Sequence, residues 1–201
     1  MVIMNHKFAT LNDYSVNITS QYGEDGVIAE ICKRLNITSG YFVELGACDG
    51  KYCSNTYTLL KNGWKGVAIE GNQQRFKELN TRKIKFGNHL STICCYVKVE
   101  GKDSLTHLLS QTSIPNEFDF LSLDIDGMDY YMWKSLKTYT SKIVCIEFNP
   151  TIASDVEFVQ ERNPHYSHGC SLLSLVKLGK EKGYELVHVT HCNAIFVHKK
   201  Y

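Results

Sequence analysis

The sequence predicts an α/β fold with a mostly parallel, doubly wound sheet, helices on both faces and an antiparallel hairpin at the C-terminal end. Two observations support this prediction. Short apolar runs alternate along the chain with segments whose apolar residues recur at helical spacing. Four of the runs also end on a carboxylate, and sheets of this kind bind ligands at the carboxyl ends of their strands. The four carboxylates are Glu44, Glu70, Asp124 and Glu147.

Composition favours one folded domain over residues 1–201, with an irregular N-terminal arm at 1–19 where periodicity is weak. Hydrophobic residues make up 43% of the chain, which argues against disorder. The net charge of +1 gives no electrostatic reason to bind nucleic acid or an anionic membrane. The sequence shows neither an apolar stretch of membrane-spanning length nor the apolar centre of a signal peptide. We therefore expect a cytoplasmic protein whose eight cysteines are reduced.

The first half of the chain alternates three predicted strands with four predicted helices. The strands are expected at 41–45, 66–70 and 92–97, and the helices at 27–35, 57–61, 73–82 and 104–111. Val27, Ile28 and Ile31 recur at helical spacing, so the first helix is amphipathic. A Ser-Asn-Thr sequence at 54–56 supplies N-cap chemistry for the second helix, and an Asn-Gly pair at 62–63 ends it.

The second half contains the strand with the strongest apolar character. This strand, at 118–124, is typical of one buried on both faces of a parallel sheet. Further strands are expected at 142–147, 184–189 and 194–198, and helices at 129–139 and 171–182. A short turn joins the last two strands, which predicts the closing hairpin. A long polar segment at 151–169 has little periodicity, and long loops of this kind are often lids.

The stretch at 41–50 has the features of a nucleoside-binding unit. Its strand runs into a loop of the form E-x-G-x-x-D-G, and a second strand follows that ends in Glu70. Gly46 would let the backbone approach a ligand, and Glu70 can accept hydrogen bonds from ribose hydroxyls. An NAD-dependent oxidoreductase is one alternative function. The loop argues against it, because a dinucleotide site uses three spaced glycines and Asp49 is an anion close to where phosphate would bind. A non-catalytic scaffold is a further alternative.

Several segments together resemble a known family. They are residues 20–25, 42–50, 54–56, 63–66, 69–70, 118–127 and 146–147. In combination, over about residues 20–198, they resemble the FkbM-like branch of the class I S-adenosylmethionine (SAM)-dependent methyltransferases. The resemblance implies a Rossmann-like class I methyltransferase fold. It also implies a SAM-dependent O-methyltransferase that acts on a sugar, a nucleotide-linked sugar or a similar small hydroxyl compound, in surface polysaccharide (capsule) biosynthesis.

The resemblance also implies a cofactor site. Glu44, Gly46 and the turn at 49–50, which contains Asp49, would surround the amino-acid part of SAM. Glu70 would hold the ribose, and residues 100–104 would lie by the adenine. The chain departs from the family in one respect, since a second glycine often found at the position of Ala47 or Cys48 is absent.

Four polar residues near this site have two interpretations each. Gln21, together with Ser20 and Asp25, either reaches the SAM carboxylate or closes the pocket, or instead forms an N-cap for the first helix. Asn55 is either a cofactor contact or a helix cap.

Transfer of a methyl group to a hydroxyl needs a general base or a metal ion. Asp124 and Asp126, at the end of the fourth strand, are the natural candidates, and His168 in the long loop is another base. By resemblance to small-molecule O-methyltransferases related to catechol methylation, Asp124, Glu147 and Asn149 would hold Mg²⁺ or Mn²⁺. The alternatives are that Asp126 caps the helix near 129, that Glu147 binds substrate or a backbone amide, and that His168 is only solvated.

The remaining expectations concern partners and surfaces. We expect a small-molecule sugar or nucleotide-sugar partner, neither nucleic acid nor membrane, and we leave a homodimer open. Trp133 is predicted to pack in the core, while Tyr130 or Tyr131 would stack on a sugar ring. The basic residues of the third helix are predicted to form a solvated face, and the alternative is that they bind a nucleotide-linked sugar or another anionic substrate. They are Arg75, Lys77, Arg82, Lys83 and Lys85.

Overall fold

The computed structural model describes residues 9–201. The strands are β1 (Tyr41–Leu45), β2 (Lys65–Glu70), β3 (Leu90–Cys94), β4 (Glu117–Leu123), β5 (Thr140–Glu147), β6 (Tyr184–Val189) and β7 (Asn193–His198). The helices are α1 (Glu24–Arg34), α2 (Tyr57–Lys61), α3 (Gln73–Phe86), α4 (Leu105–Ser110), α5 (Asp129–Ser135) and α6 (Leu172–Glu181). Short 3-10 helices lie at Leu11–Tyr14 and Gly87–His89.

All seven strands belong to one sheet, in the order β3-β2-β1-β4-β5-β7-β6. Strands β1 to β5 pair in parallel, whereas β7 runs antiparallel to both β5 and β6. The predicted fold class, a mostly parallel sheet closed by an antiparallel hairpin, is therefore confirmed. Because β1 to β5 are parallel, their carboxyl ends lie along one edge of the sheet, where ligands bind in such folds.

Apolar side chains pack on both faces of the sheet. On one face Trp133 of α5 is 1% exposed, and its ring contacts those of Tyr184 and Phe196, with centroids 5.5 and 5.0 Å away. On the other face Val27 and Ile28 of α1 are fully enclosed. Trp133 is thus a core residue, as predicted. Burying each large apolar side chain stabilises the fold by roughly 1.5–3 kcal/mol.

Several element boundaries differ from the predicted ones. Strand β3 ends at Cys94, not at residue 97, because the Cys95 N–H donates to the Glu70 carbonyl and the chain then leaves the sheet. Helix α5 ends at Ser135, since Leu136 has extended backbone. In the N-terminal arm, residues 1–8 lie outside the described part of the chain. The rest of the arm contains one 3-10 helix and otherwise has no regular secondary structure, although Val16 exchanges backbone hydrogen bonds with residues 23 and 26.

The predicted absence of a membrane span can be compared with the described helices. Within residues 9–201, none of the helices combines the length and the apolar content needed to cross a bilayer.

The loops after β1 and β4 lie in contact at Gly46. This residue has φ +75°, and a Cβ added to it would lie 1.7 Å from the Asp124 carbonyl oxygen. The glycine is therefore required by the approach of the two protein segments to each other. The sequence-based expectation had given it a role in letting the backbone approach a ligand.

Substituting Gly46 by alanine should destabilise the fold strongly, because the new Cβ would collide with the Asp124 carbonyl. This backbone group cannot move aside as a flexible side chain can. Gly63 is a matched control, since it also has positive φ (+84°) but nothing within 4 Å of an added Cβ. We expect Gly63→Ala to lower the free energy of unfolding by about 1 kcal/mol and Gly46→Ala by at least about 3 kcal/mol. Urea unfolding measures both values, and equal losses would contradict the close contact.

Candidate active site

A cavity of about 680 Å³ lies at the carboxyl ends of β1, β2 and β4. The loops that follow β1 to β4 line it, together with Gln21 from the N-terminal arm and residues 164–167 from the long segment. Of the predicted site residues, the cavity wall contains Gln21, Gly46, Glu70, Asp124 and Asp126. The others lie behind the wall or beside the cavity.

Glu70, the last residue of β2, is fixed by backbone donors. One carboxylate oxygen accepts from the Cys48 N–H at 2.9 Å and the other from the Asn72 N–H at 2.6 Å. The side chain is 6% exposed and lines the cavity. Each oxygen keeps a lone pair for a further donor, so the group can accept hydrogen bonds from the two hydroxyls of a ribose.

Glu44 and Asn55 lie beneath the cavity and do not line it. The Glu44 carboxylate accepts hydrogen bonds from the hydroxyls of Ser54 and Thr56 and from the Asn55 N–H. Burial raises the pKa of Glu44 to about 7, although these hydrogen bonds oppose the rise. The Asn55 amide donates to Ser122 and Cys145, so it joins the loop after β1 to β4 and β5. Asn55 thus has a role that neither sequence-based interpretation included.

Asp49 faces away from the cavity, toward α3. Its carboxylate accepts from the Lys51 and Tyr52 N–H groups and pairs with Arg82 at 3.1 Å. Burial acts to raise the pKa of Asp49, but these backbone hydrogen bonds and the Arg82 guanidinium lower it overall. Arg75, about two turns earlier on α3, lines the cavity. The basic residues of α3 had been expected to form a solvated face, and Arg75 and Arg82 differ from that expectation.

Asp25 holds the arm in place. Its carboxylate accepts from the N–H groups of Ile18, Thr19 and Ser20 at 2.7–2.8 Å, and the residue is 3% exposed. Burial acts to raise the pKa of Asp25, but these hydrogen bonds lower it overall. Of the three arm residues predicted near the cofactor, only Gln21 lines the cavity.

Three carboxylates meet at the carboxyl ends of β4 and β5. One oxygen from each of Asp124, Asp126 and Glu147 lies within 4.8 Å of the others. Burial, reinforced by the charges of Asp126 and Glu24, raises the pKa of Asp124 to about 6. Burial and the charge of Asp124 raise the pKa of Glu147 to about 9. At neutral pH Glu147 is therefore protonated and hydrogen-bonded to an ionised Asp124.

A fourth carboxyl group, Asp129, holds the loop that carries Asp126. It accepts from the Ile125 and Gly127 N–H groups at 3.0 Å. Burial and the charge of Asp124 raise the pKa of Asp129 to about 7. The expected alternative, that Asp126 caps this helix, is wrong because Met128 occupies the N-cap position and no side chain makes a cap hydrogen bond there. Asp126 has φ +57° and its side chain is exposed in the cavity.

The long segment covers one side of the cavity, and Gln160 holds it. Gln160 is 2% exposed, accepts from the Gly169 N–H at 2.8 Å and donates to the Tyr166 carbonyl at 2.9 Å. His165 lines the cavity, whereas His168 is exposed and outside the lining. The His168 ring is therefore not placed to contact an acceptor in the cavity. The sequence had no periodic signal that could have identified Gln160.

Two other expectations are corrected. Residues 95–97, and not 100–104, line the cavity after β3, and Glu100 instead pairs with Arg162 at 2.6 Å. Tyr130 and Tyr131 do not line the cavity either. The Tyr131 hydroxyl donates to the Gln160 carbonyl, and Tyr130 packs edge-on against Tyr131. The tyrosines that do line the cavity are Tyr52, Tyr96 and Tyr166.

Comparison with known proteins places the fold. No protein-family model and no curated protein matches the sequence. A putative caffeoyl-CoA O-methyltransferase from Staphylococcus aureus superposes with a TM-score of 0.58 at 14% identity, over 91% of this chain and 86% of that one. A SAM-dependent methyltransferase from Clostridium acetobutylicum has a TM-score of 0.54 at 12% identity, over 89% and 92%. The N-terminal domain of EvdMO1, solved with SAH bound, has a TM-score of 0.53 at 13% identity, over 87% and 80%.

Two of these structures are described as methyltransferases and the third was solved with SAH bound, and at such low identity the similarities show the fold alone. The chain therefore has the fold of a SAM-dependent methyltransferase.

Replacing Glu147 by glutamine should change how stability depends on pH. The folded pKa of Glu147, about 9, lies above its ordinary value of 4.5, so the folded state holds the proton more tightly than the unfolded chain does. The stability that this bound proton contributes is therefore lost as pH rises from 4.5 to about 9. The amide of Glu147→Gln can still donate a hydrogen bond to Asp124. Because this amide does not titrate, the variant does not lose stability as pH rises. We expect the variant to gain on the order of 1 kcal/mol or more over the parent at pH 8.5, and little at pH 5.

Unfolding in urea at both pH values measures this difference. Glu78→Gln, at an exposed position on α3, is the control and should show no pH-dependent gain. A gain of equal size at pH 5 and pH 8.5 would contradict the raised pKa of Glu147.

Proposed function

We propose that the protein is a SAM-dependent O-methyltransferase of the FkbM-like type, acting on a hydroxyl of a sugar or nucleotide-linked sugar in surface polysaccharide synthesis. One observation carries the proposal. A single cavity brings together an acid fixed by backbone amides, Glu70, and a cluster of carboxylates that includes Asp124 and Asp126. Glu70 is suited to bind a ribose, and the carboxylate cluster is suited to remove a proton from a hydroxyl.

Glu70 and its neighbours would hold the nucleoside of SAM. The carboxylate cannot move away from the cavity, because two backbone donors fix it. Tyr96 lies across Gly71, where an added Cβ would come within 2.4 Å of the ring, and Tyr96 is 72% exposed. An adenine could stack on this exposed ring. The caffeoyl-CoA O-methyltransferase-like and SAH-bound structures of the same fold are consistent with SAM as the cofactor.

Bound SAM supplies an electrophilic methyl group, and the chain must supply the position of the acceptor and a destination for its proton. Asp124 is ionised at neutral pH, and its raised pKa makes it a stronger base than an exposed aspartate. The acceptor hydroxyl would lose its proton to Asp124, while Glu147 donates a hydrogen bond to the same carboxylate and keeps it in place. Tyr166, on the cavity wall, is available to stack on a sugar ring.

The carboxylate cluster also fits a divalent cation, which we include in the proposal. Asp124, Asp126 and Glu147 offer three hard oxygen ligands, the type that Mg²⁺ and Mn²⁺ prefer, provided that the ion displaces the proton of Glu147. Such an ion would lower the pKa of a bound hydroxyl and neutralise the mutual repulsion of the carboxylates. Asn149, which was expected to be a ligand together with Asp124 and Glu147, donates from its amide to the His168 carbonyl and accepts from the Thr151 N–H with its side-chain oxygen. We therefore assign the ion to the three carboxylates.

The sheet order disfavours the oxidoreductase alternative. A typical dinucleotide-binding sheet has the order 3-2-1-4-5-6, whereas here the antiparallel β7 lies between β5 and β6. NADH fluorescence titration tests this alternative directly.

Replacing Glu70 by glutamine should weaken cofactor binding. An amide has one acceptor oxygen for two backbone donors and the ribose, so the hydrogen-bond set cannot be completed. We expect isothermal titration calorimetry to show at least about tenfold weaker binding of SAH, equivalent to about 1.4 kcal/mol. Glu78→Gln, with wild-type binding, is the control. Unchanged binding in Glu70→Gln would refute the ribose role, and absence of SAM and SAH binding by the parent would refute the proposed function.

Asp126→Asn should abolish or strongly reduce binding of Mn²⁺ while leaving the fold unchanged. Asn tolerates the positive φ at this position, so the backbone is not strained. We expect calorimetric titration of the parent with Mn²⁺ to show a binding heat that the variant lacks. Asp155→Asn, on the exposed part of the long segment, is the matched control. If the parent itself binds no Mn²⁺, the metal part of the proposal is wrong and proton removal by Asp124 stands alone.

A further inference from the structure

A second concave surface adjoins the cofactor cavity. It encloses about 600 Å³ between residues 18–22 of the N-terminal arm, residues 49–53 of the loop after β1, and Arg82 of α3. We call it the arm groove. Gln21, Tyr52 and Cys53 line both the arm groove and the cavity, so the two spaces meet at these side chains. A ligand longer than the cavity could therefore extend from one into the other.

The arm groove contains exposed aromatic and apolar side chains. Ile18, Tyr22 and Tyr52 are 65%, 44% and 71% exposed. Exposed apolar patches of this kind are commonly binding surfaces. Tyr22 is held in position, because its N–H donates to the buried Glu24 at 2.8 Å and its ring contacts that of His191 at 4.9 Å between centroids. The groove thus presents a fixed aromatic face.

The charges in the arm groove favour an anion. Lys51 is exposed, and its ammonium lies over the Tyr57 ring at 5.9 Å with no acid paired to it in the described part of the chain. Asp49 is the acid of the groove, but Arg82 and two backbone N–H groups compensate its charge. Arg82 uses Nε and Nη2 for Asp49, so Nη1 is available within residues 9–201. The compensated pair leaves Lys51 as a net positive charge.

We propose that the arm groove binds the nucleotide part of the acceptor, so that the substrate is a nucleoside diphosphate-linked sugar. The base would lie against Tyr22 and Tyr52, and the phosphates would contact Lys51 and Arg82. The sugar would then enter the cavity past Gln21 and Cys53 toward Asp124. This inference rests on the proposed function and narrows its acceptor class.

Calorimetric titration with uridine diphosphate (UDP) tests the inference on the full chain, in the presence and absence of saturating SAH. We expect the parent to bind UDP with SAH already bound, because groove and cavity are separate spaces. Lys51→Glu and Tyr22→Ala should each weaken UDP binding at least tenfold and leave SAH binding unchanged. Lys77→Glu, an exposed reversal of charge on α3 outside both spaces, is the control and should bind UDP as the parent does.

The outcomes separate this inference from the proposed function. Binding of SAH without binding of UDP would overturn the inference and leave the function standing, whereas failure to bind SAH would refute the function. UDP binding that SAH displaces and that Lys51→Glu does not weaken would place UDP in the cofactor cavity and overturn the inference. Pyrophosphate and uridine serve as separate probes. Binding of pyrophosphate as tight as that of UDP, together with no effect of Tyr22→Ala, would overturn the contact with the base.

Discussion

The mutual repulsion and burial of carboxyl groups at the ends of β4 and β5 is the constraint on which the site depends. Asp124, Asp129 and Glu147 are removed from water within one small region, and burial, reinforced by the charges of neighbouring carboxylates, raises the pKa of each. Buried charges of one sign are costly unless protons, donors or a cation compensate them. Here Glu147 keeps a proton, and Asp129 accepts two backbone N–H donors. Asp124 is left as the ionised group that faces the cavity.

Backbone N–H groups provide much of the remaining compensation. Glu70, Asp25, Asp49 and Asp129 each accept at least two of them. The same contacts serve two purposes, since each satisfies a carboxylate and fixes a loop that has no other regular structure. A loop fixed in this way can hold a ligand without losing conformational entropy on binding. This explains how a site formed almost wholly by loops is already assembled.

The cavity and the arm groove, which adjoin at this edge of the sheet, have different roles in the proposed reaction. The cavity contains Glu70, the proposed partner of the ribose, and Asp124, the proposed base, whereas the arm groove contains rings and a net positive charge. Gln160 and the pair of Arg162 with Glu100 join the long segment to itself and to the loop after β3, and so enclose the cavity. Gln21 contributes to the other wall, and Asp25 and Glu24 of α1 hold the segment that contains Gln21 by accepting backbone hydrogen bonds from Ile18 and Tyr22.

The sequence by itself determined the order of strands and helices, the closing hairpin and the carboxylates at the strand ends, because periodicity and apolar character are local properties. Tertiary structure decided which of these carboxylates line the cavity. Glu70 is the last residue of β2 and reaches the cavity, while Glu44 precedes Leu45 in β1 and stays in the packed layer below. The pairing of Asp49 with Arg82 joins residues far apart in sequence, and the contacts of Gln160 depend on how an aperiodic segment folds back. Local pattern contains no information about such contacts, since only packing of distant segments brings their atoms together.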